Sequence, residues 1–194
     1  MTRLHYLTIF ISGPYIVQGK YGNAIFTPNT ASLNDKVINL GTHENDCLGK
    51  LSLCPKGLTF SLWFKLDPHT DIWRNLFTST HFTVSLVKVS GVLKLNSFIR
   101  NGTHQIKHVG LTVITPYTWS HFGFTYSVNY GSEFFHNGCK LTNPNPVITA
   151  KIPDIRNFQF GCYRGEYCTK AAYDDFRFWT AAKDEQFMWW LWQE

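Results

Sequence analysis

The chain has 194 residues, a formal net charge of +5, 16% aromatic residues and only 16% charged residues. A disordered tail, with few aromatics and much charge, is excluded. So is the clustered basic stripe of a nucleic-acid-binding protein, because Lys20, Lys36, Lys50, Lys65, Lys88, Lys107 and Lys140 lie far apart.

From the N-terminus, basic Met1–Thr2–Arg3 leads into a short apolar run, Leu4 to Ile11, broken by His5 and Thr8. Residues 1–12 read as a first strand, a signal remnant or the truncated start of a longer protein, and these alternatives stay open. Residues 13–194 fit a single domain, since an all-β sandwich reaches about 200–250 residues. Leu58 to Leu66 is the cleanest strand. Leu58, Phe60, Leu62, Phe64 and Leu66 share one face, and Thr59, Ser61, Trp63 and Lys65 share a mostly polar outward face. Asn75–Thr80, Phe82–Lys88, Val92–Ile99 and the β-branched run His104–Ile114 follow as strands. Further on, Phe122, Phe124 and Tyr126 alternate with polar or small neighbours, as do Phe158 and Phe160, and Phe176 and Phe178. Asn137–Gly138 marks a hairpin. Only Asp184–Trp192 reads as a helix, with Asp184 and Glu185 at its positive end. About a dozen short strands predict an all-β fold, a two-sheet antiparallel jelly-roll sandwich with a short C-terminal helix. No apolar run approaches the roughly 20 residues of a membrane helix, so no membrane insertion is expected.

There are five cysteines. Cys47/Cys54 and Cys162/Cys168 each bracket a short loop, at spacings that do not suit a zinc site. Disulfides at both pairs are expected, with Cys139 left over, and they imply an oxidising compartment. The sequon Asn101–Gly102–Thr103 adds a glycosylation site and leans the same way.

Several stretches in order resemble laminin-G-like domains of the concanavalin A-like lectin/glucanase superfamily. Gly19–Lys20–Tyr21–Gly22–Asn23–Ala24–Ile25 is similar to their opening glycine turn and strand. Phe60–Ser61–Leu62–Trp63–Phe64–Lys65, Trp119 to Tyr126 and Phe135–His136–Asn137–Gly138 resemble three of their strand and hairpin motifs. Asp175–Phe176–Arg177–Phe178–Trp179 with Asp184–Glu185 resembles their closing strand and helix. The resemblance covers about Tyr15 to Trp192, with Lys183 standing where the family often places a helix-capping Ser. It implies a concanavalin A-like jelly roll that binds a glycan or an extracellular protein, within a secreted protein or the ectodomain of a receptor, adhesion or matrix protein.

The same superfamily contains glycoside hydrolases, whose retaining chemistry needs two carboxylates about 5–5.5 Å apart. The chain has no such acid pattern on one strand face. Glu44 and Asp46 sit in a cysteine loop. Asp174 and Asp175 are adjacent, which on a regular strand points them to opposite faces, and Asp175 is expected to be satisfied by backbone groups. No enzyme activity is expected. His104 and His108 read as surface residues. The resemblance raises calcium, held in several relatives at the sandwich rim by oxygen ligands. Asn45, Asp46, Asp71 and Asp174 are the candidates, but they form no ligand spacing, so no cofactor is expected. Trp73, Trp119, Tyr163 and Tyr167 are candidate platforms for a sugar ring. A structural spacer without a small ligand is the alternative function.

Overall fold

The computed structural model describes residues 15–28, 37–43, 45–47, 53–67, 73–78, 82–101, 104–129, 131–141, 157–162 and 168–194, less the side chains of 73, 82, 98–101, 104–111 and 157. Residues 1–14 lie outside the described residues, and with them the alternatives for the N-terminus. One sheet carries β1 (Tyr15–Gln18), β2 (Asn23–Thr27), β13 (Ala171–Trp179), β4 (Leu58–Leu66), β9 (Trp119–Ser127), β10 (Gly131–His136) and β11 (Cys139–Lys140), in that spatial order. The other carries β3 (Ile38–Thr42), β12 (Asn157–Phe160), β5 (Trp73–Thr78), β6 (Phe82–Val89), β7 (Val92–Asn101) and β8 (His104–Val113). Neighbouring strands in both sheets are antiparallel, so the fold is the expected two-sheet jelly roll.

Alternation builds the core. Leu58, Phe60, Leu62, Phe64 and Leu66 point between the sheets and are at most 1% exposed. Phe60 meets Phe77, Phe122, Phe124, Phe158 and Phe176 at ring-centroid distances of 5.0 to 6.2 Å. Each fully buried side chain of this size contributes about 1.5–3 kcal/mol.

Two hairpins follow from their turn residues. Ser90–Gly91 joins β6 to β7, and Asn137–Gly138 joins β10 to β11. All four have positive φ, between 48° and 81°, as a two-residue type I′ turn requires. The helix α1 (Glu185–Gln193) is capped by Asp184, whose carboxylate accepts from the Phe187 amide at 2.9 Å. Such a cap is worth about 1 kcal/mol.

The outward face of β4 departs from the sequence expectation. Thr59, Ser61 and Trp63 are at most 3% exposed. The reason is that α1 and the segment before it fold back across the outside of the seven-stranded sheet over Thr59 and Ser61, while the turn at residues 19–22 packs on Trp63. Met188 and Leu191 of α1 pack on Phe135. Met188 lies so close that a Cβ on Gly123 would stand 2.7 Å from its sulfur. The Thr59 hydroxyl donates to the Ala181 carbonyl and accepts from the Lys183 amide, anchoring the segment before the helix.

Candidate binding face

The outer face of the seven-stranded sheet is laid out in rows by the strand register. The row at one rim reads Tyr15, Phe26, Ala172, Lys65, Trp119. The next contains Asp174, Trp63 and His121, and the one beyond it Arg177, Ser61, Gly123 and Phe135. Helix α1 covers the last of these. The turn at residues 19–22 covers the middle one. Its Gly19 amide donates to the Gly22 carbonyl, and its Tyr21 amide donates to Asp174 Oδ2 at 2.9 Å. The Gly19 position has no room for a Cβ, which would sit 2.5 Å from that carboxylate oxygen. Held this way, Tyr21 packs edge-on against Trp63, and Lys20 Nζ stands 4.6 Å from the Trp63 ring centroid.

In the rim row Phe26 and Ala172 are buried, and the exposed surface comes from the side chains around them. Tyr15 is 52% exposed and Tyr117, in the segment between β8 and β9, is 68% exposed. Tyr117 has φ +63°, a strained conformation for a bulky residue, and its amide donates to the Leu66 carbonyl at 2.8 Å. Lys170 and Asp67 form an ion pair at 2.8 Å on the same rim. The Lys170 ammonium sits 5.9 Å from the Phe26 ring centroid, and its pKa is raised, chiefly by its hydrogen bond to Asp67 and with smaller contributions from Tyr15 and Tyr117. Lys65 Nζ stands 5.0 Å from the Trp119 ring centroid. This patch therefore joins apolar ring faces to phenol hydroxyls, two ammonium groups and a carboxylate.

Below the covered rows lies a different chemistry. Asp174 and Asp175 do not point to opposite faces. β13 bulges here: Asp175 and Phe176 together face the single residue Leu62, with Asp175 at φ +49°. The extra residue sends Phe176 to the core and leaves both carboxylates beside Tyr21, whose hydroxyl pKa is raised by burial and by these charges. Asp174 is the acid that meets a backbone amide. Asp175 instead takes a bidentate pair from Arg177, at 2.9 Å from Nε and 2.8 Å from Nη2, and Glu194 accepts from Arg177 Nη1. Burial outweighs Arg177 in raising the Asp175 pKa. His121 and His136 are buried, and His121 Nδ1 and His136 Nε2 find no partner among the described residues. Burial, with Arg177 and His136 assisting, lowers His121 to about 3, and burial lowers His136 to about 4.

Of the residues singled out in the sequence, Trp119 lies on the open rim, whereas Tyr163, Tyr167, Asp71, Glu44 and the side chain of Trp73 lie outside the described residues. Asp46 bonds His43 Nδ1 at 2.8 Å, away from Asp174 on β13, and no metal-holding group of three His, Cys, Asp or Glu occurs among the described residues. Cys47–Cys54 and Cys162–Cys168 are bonded pairs, and Cys139 is an exposed thiol on edge strand β11. Asn101 ends β7, and the rest of its sequon, like the side chains of His104 and His108, lies outside the described residues. Sequence reasoning missed Tyr15, Tyr117 and Lys170. The available signal was Trp63 and Lys65 at period two on a strand face otherwise taken as polar.

A laminin-G family model, described as the concanavalin A-like lectin/glucanases superfamily, matches residues 40–186. No curated protein sequence matches the chain. Among solved structures, domain 4 of AbnA, a GH43 extracellular arabinanase from Geobacillus stearothermophilus in complex with arabinotriose, is 18% identical. The match covers 93% of this chain and 81% of that one, with a TM-score of 0.64. The binding domain of Paraclostridial Mosquitocidal Protein 1 is 17% identical over 93% of this chain and 45% of that one, with a TM-score of 0.67. The receptor binding domain of a botulinum neurotoxin C/D mosaic serotype is 11% identical over 96% and 46%, also with a TM-score of 0.67. The chain thus spans less than half of either toxin chain, and at these identities the likeness is one of fold. The family match over most of the chain, together with the two antiparallel sheets and the closing helix, places the chain in the concanavalin A-like lectin/glucanase superfamily, in its laminin-G-like branch.

Proposed function

We propose that the chain is a non-catalytic saccharide-binding module that acts outside the cell and holds its ligand on the open rim of the seven-stranded sheet. The observation that carries this reading is the pair of exposed tyrosines, Tyr15 and Tyr117, flanking the Lys170–Asp67 ion pair. A sugar ring has an apolar C–H face and polar edges. Tyrosine offers the matching combination of flat apolar surface and hydroxyl, and a few fixed polar groups set orientation. The strain held at Tyr117 places a large ring in solvent, where it adds nothing to the core. The arabinotriose bound by domain 4 of the arabinanase supports saccharide as the ligand class. The two disulfides support an oxidising location.

The non-catalytic reading rests on the carboxylates. No strand of the six-stranded sheet contains Asp or Glu. In the seven-stranded sheet, Glu133 pairs with Lys140, Asp174 with the Tyr21 amide and Asp175 with Arg177. None is free to act with a second acid across a glycosidic bond.

A glycan array tests the reading, repeated with Tyr117→Gly, which removes the ring while suiting the backbone. Binding to a defined saccharide group that Tyr117→Gly reduces at least about fivefold is expected, as for a lost stacking contact worth about 1 kcal/mol or more. Binding unaffected by that change places the ligand elsewhere, and an array with no binding favours the spacer alternative.

A further inference from the structure

We infer that the saccharide held on this rim carries a carboxylate, recognised directly by the ammonium groups of Lys65 and Lys170. The inference rests on the saccharide-binding reading and extends it to the ligand's charge. Lys65 pairs with Ala172 across the β4–β13 ladder, and Lys170 lies two residues from Ala172 on the same strand side. The two lysines are therefore diagonal cross-strand neighbours, a relation that brings long side chains within reach of one anion. Their charges are not balanced locally. Asp67 compensates Lys170, whereas among the described residues Lys65 has no carboxylate partner and rests on the Trp119 ring instead. A cation over an exposed ring is held only weakly. A carboxylate offers an ammonium a charge-assisted hydrogen bond, a shorter and more directional contact than a ring face. Lys65 therefore turns from the ring to an arriving carboxylate that Lys170 holds at the same time. That movement also uncovers the Trp119 face for the sugar. One anionic group fits, because one positive charge is left over once Asp67 is counted.

Neighbouring charges keep this assignment to the rim. Asp174 is held by the Tyr21 amide, and Asp175 and Glu194 both engage Arg177. Lys20, the other ammonium on this face, stands over Trp63 and Tyr21 beside the carboxylates Asp174 and Asp175, whereas among the described residues Lys65 and Lys170 share the rim with Asp67 alone.

The test uses matched probes that differ only in charge: oligogalacturonate against its methyl ester, and sialyllactose against lactose. Binding of the full chain is measured by calorimetry at two salt concentrations, with and without a chelator. At least one acidic member is expected to bind about tenfold or more tighter than its neutral partner. Chelator should leave this preference intact, because ammonium groups and no metal ion make the contact. Lys65→Gln should collapse the acid-over-neutral ratio towards one, with an unchanged thermal midpoint showing that the variant is folded. Equal binding of acidic and neutral partners overturns the inference while leaving the saccharide reading standing. Binding of none of the four probes on an array that shows other, neutral ligands does the same, and an array with no saccharide binding at all removes both. A ratio that Lys65→Gln leaves unchanged, or that chelator abolishes, overturns it, as does equally tight binding of single-stranded DNA, which would mean that only charge is read.

Discussion

The outer face of the seven-stranded sheet has two halves built on the same strands and treated oppositely. Under α1 and the turn at residues 19–22, Thr59, Ser61, Trp63 and His121 are buried, and the Thr59 hydroxyl is tied to the segment before α1. At the rim, two rows away, Tyr15 and Tyr117 stand in solvent and Lys65 lies on a ring for want of a counter-charge. A sheet face that must remain available for a ligand is expected to keep large apolar groups exposed, while one that serves stability covers them. The contrast within one sheet is what supports the proposed division between a binding half and a stabilising half.

The largest effect that probes this contrast lies beneath the covered half. Phe124 is fully buried and touches Phe60 and Phe134 at 5.0 and 5.3 Å between centroids. Phe124→Ala should lose about 3–5 kcal/mol. Phe178 is only partly buried, so Phe178→Ala should lose clearly less. Urea melts compare them, and equal losses would mean that this end of β13 is packed as deeply as β9.

The second effect is set by pH and comes from His121 in the covered half and from buried His136 on β10. An unfolded histidine takes up its proton near pH 6.5, whereas His121 and His136 resist until about pH 3 and 4. Between these limits the unfolded chain binds more protons, so stability is complete above pH 6.5 and declines as pH falls below it. At pH 5 the loss is about 2 kcal/mol for each histidine. Urea midpoints at pH 7.5 and pH 5 should show it, and His121→Gln should remove about half of the dependence. A variant with the wild-type pH slope would show that His121 is hydrated in solution.

The smallest effect on stability, and the sharpest for the comparison, is at the rim. Tyr117→Gly relieves a left-handed conformation that costs a non-glycine residue about 1–2 kcal/mol. It removes an exposed ring that contributes little to packing. Thermal melts should show a midpoint equal to or slightly above that of the parent, together with the loss of binding described above. A clear drop in midpoint would assign Tyr117 a packing role and close the difference between the halves.

Much of this was legible in the sequence. Period-two alternation marked β4, β9 and β13 and their core faces, since a strand with one buried face must alternate. Asn137–Gly138 marked its hairpin because few other residues accept its backbone angles. Asp184 and Glu185 marked the start of α1 because a carboxylate satisfies its free amides. These are local rules, and each needs only a few neighbouring residues. What required the tertiary structure was which side of the outer face is covered. Nothing near Ser61 or Trp63 in the chain announces that Met188 or Tyr21 will lie over that row, because those contacts span more than a hundred residues of sequence or arise from a turn held by a distant carboxylate. The bulge at Asp175 is equally invisible, since one extra residue reverses the face of its neighbours without altering composition. The rim patch was hidden for the same reason. Tyr15, Lys65, Tyr117 and Lys170 come from four separate segments, and only the pairing of β1, β2, β13, β4 and β9 brings them to one edge.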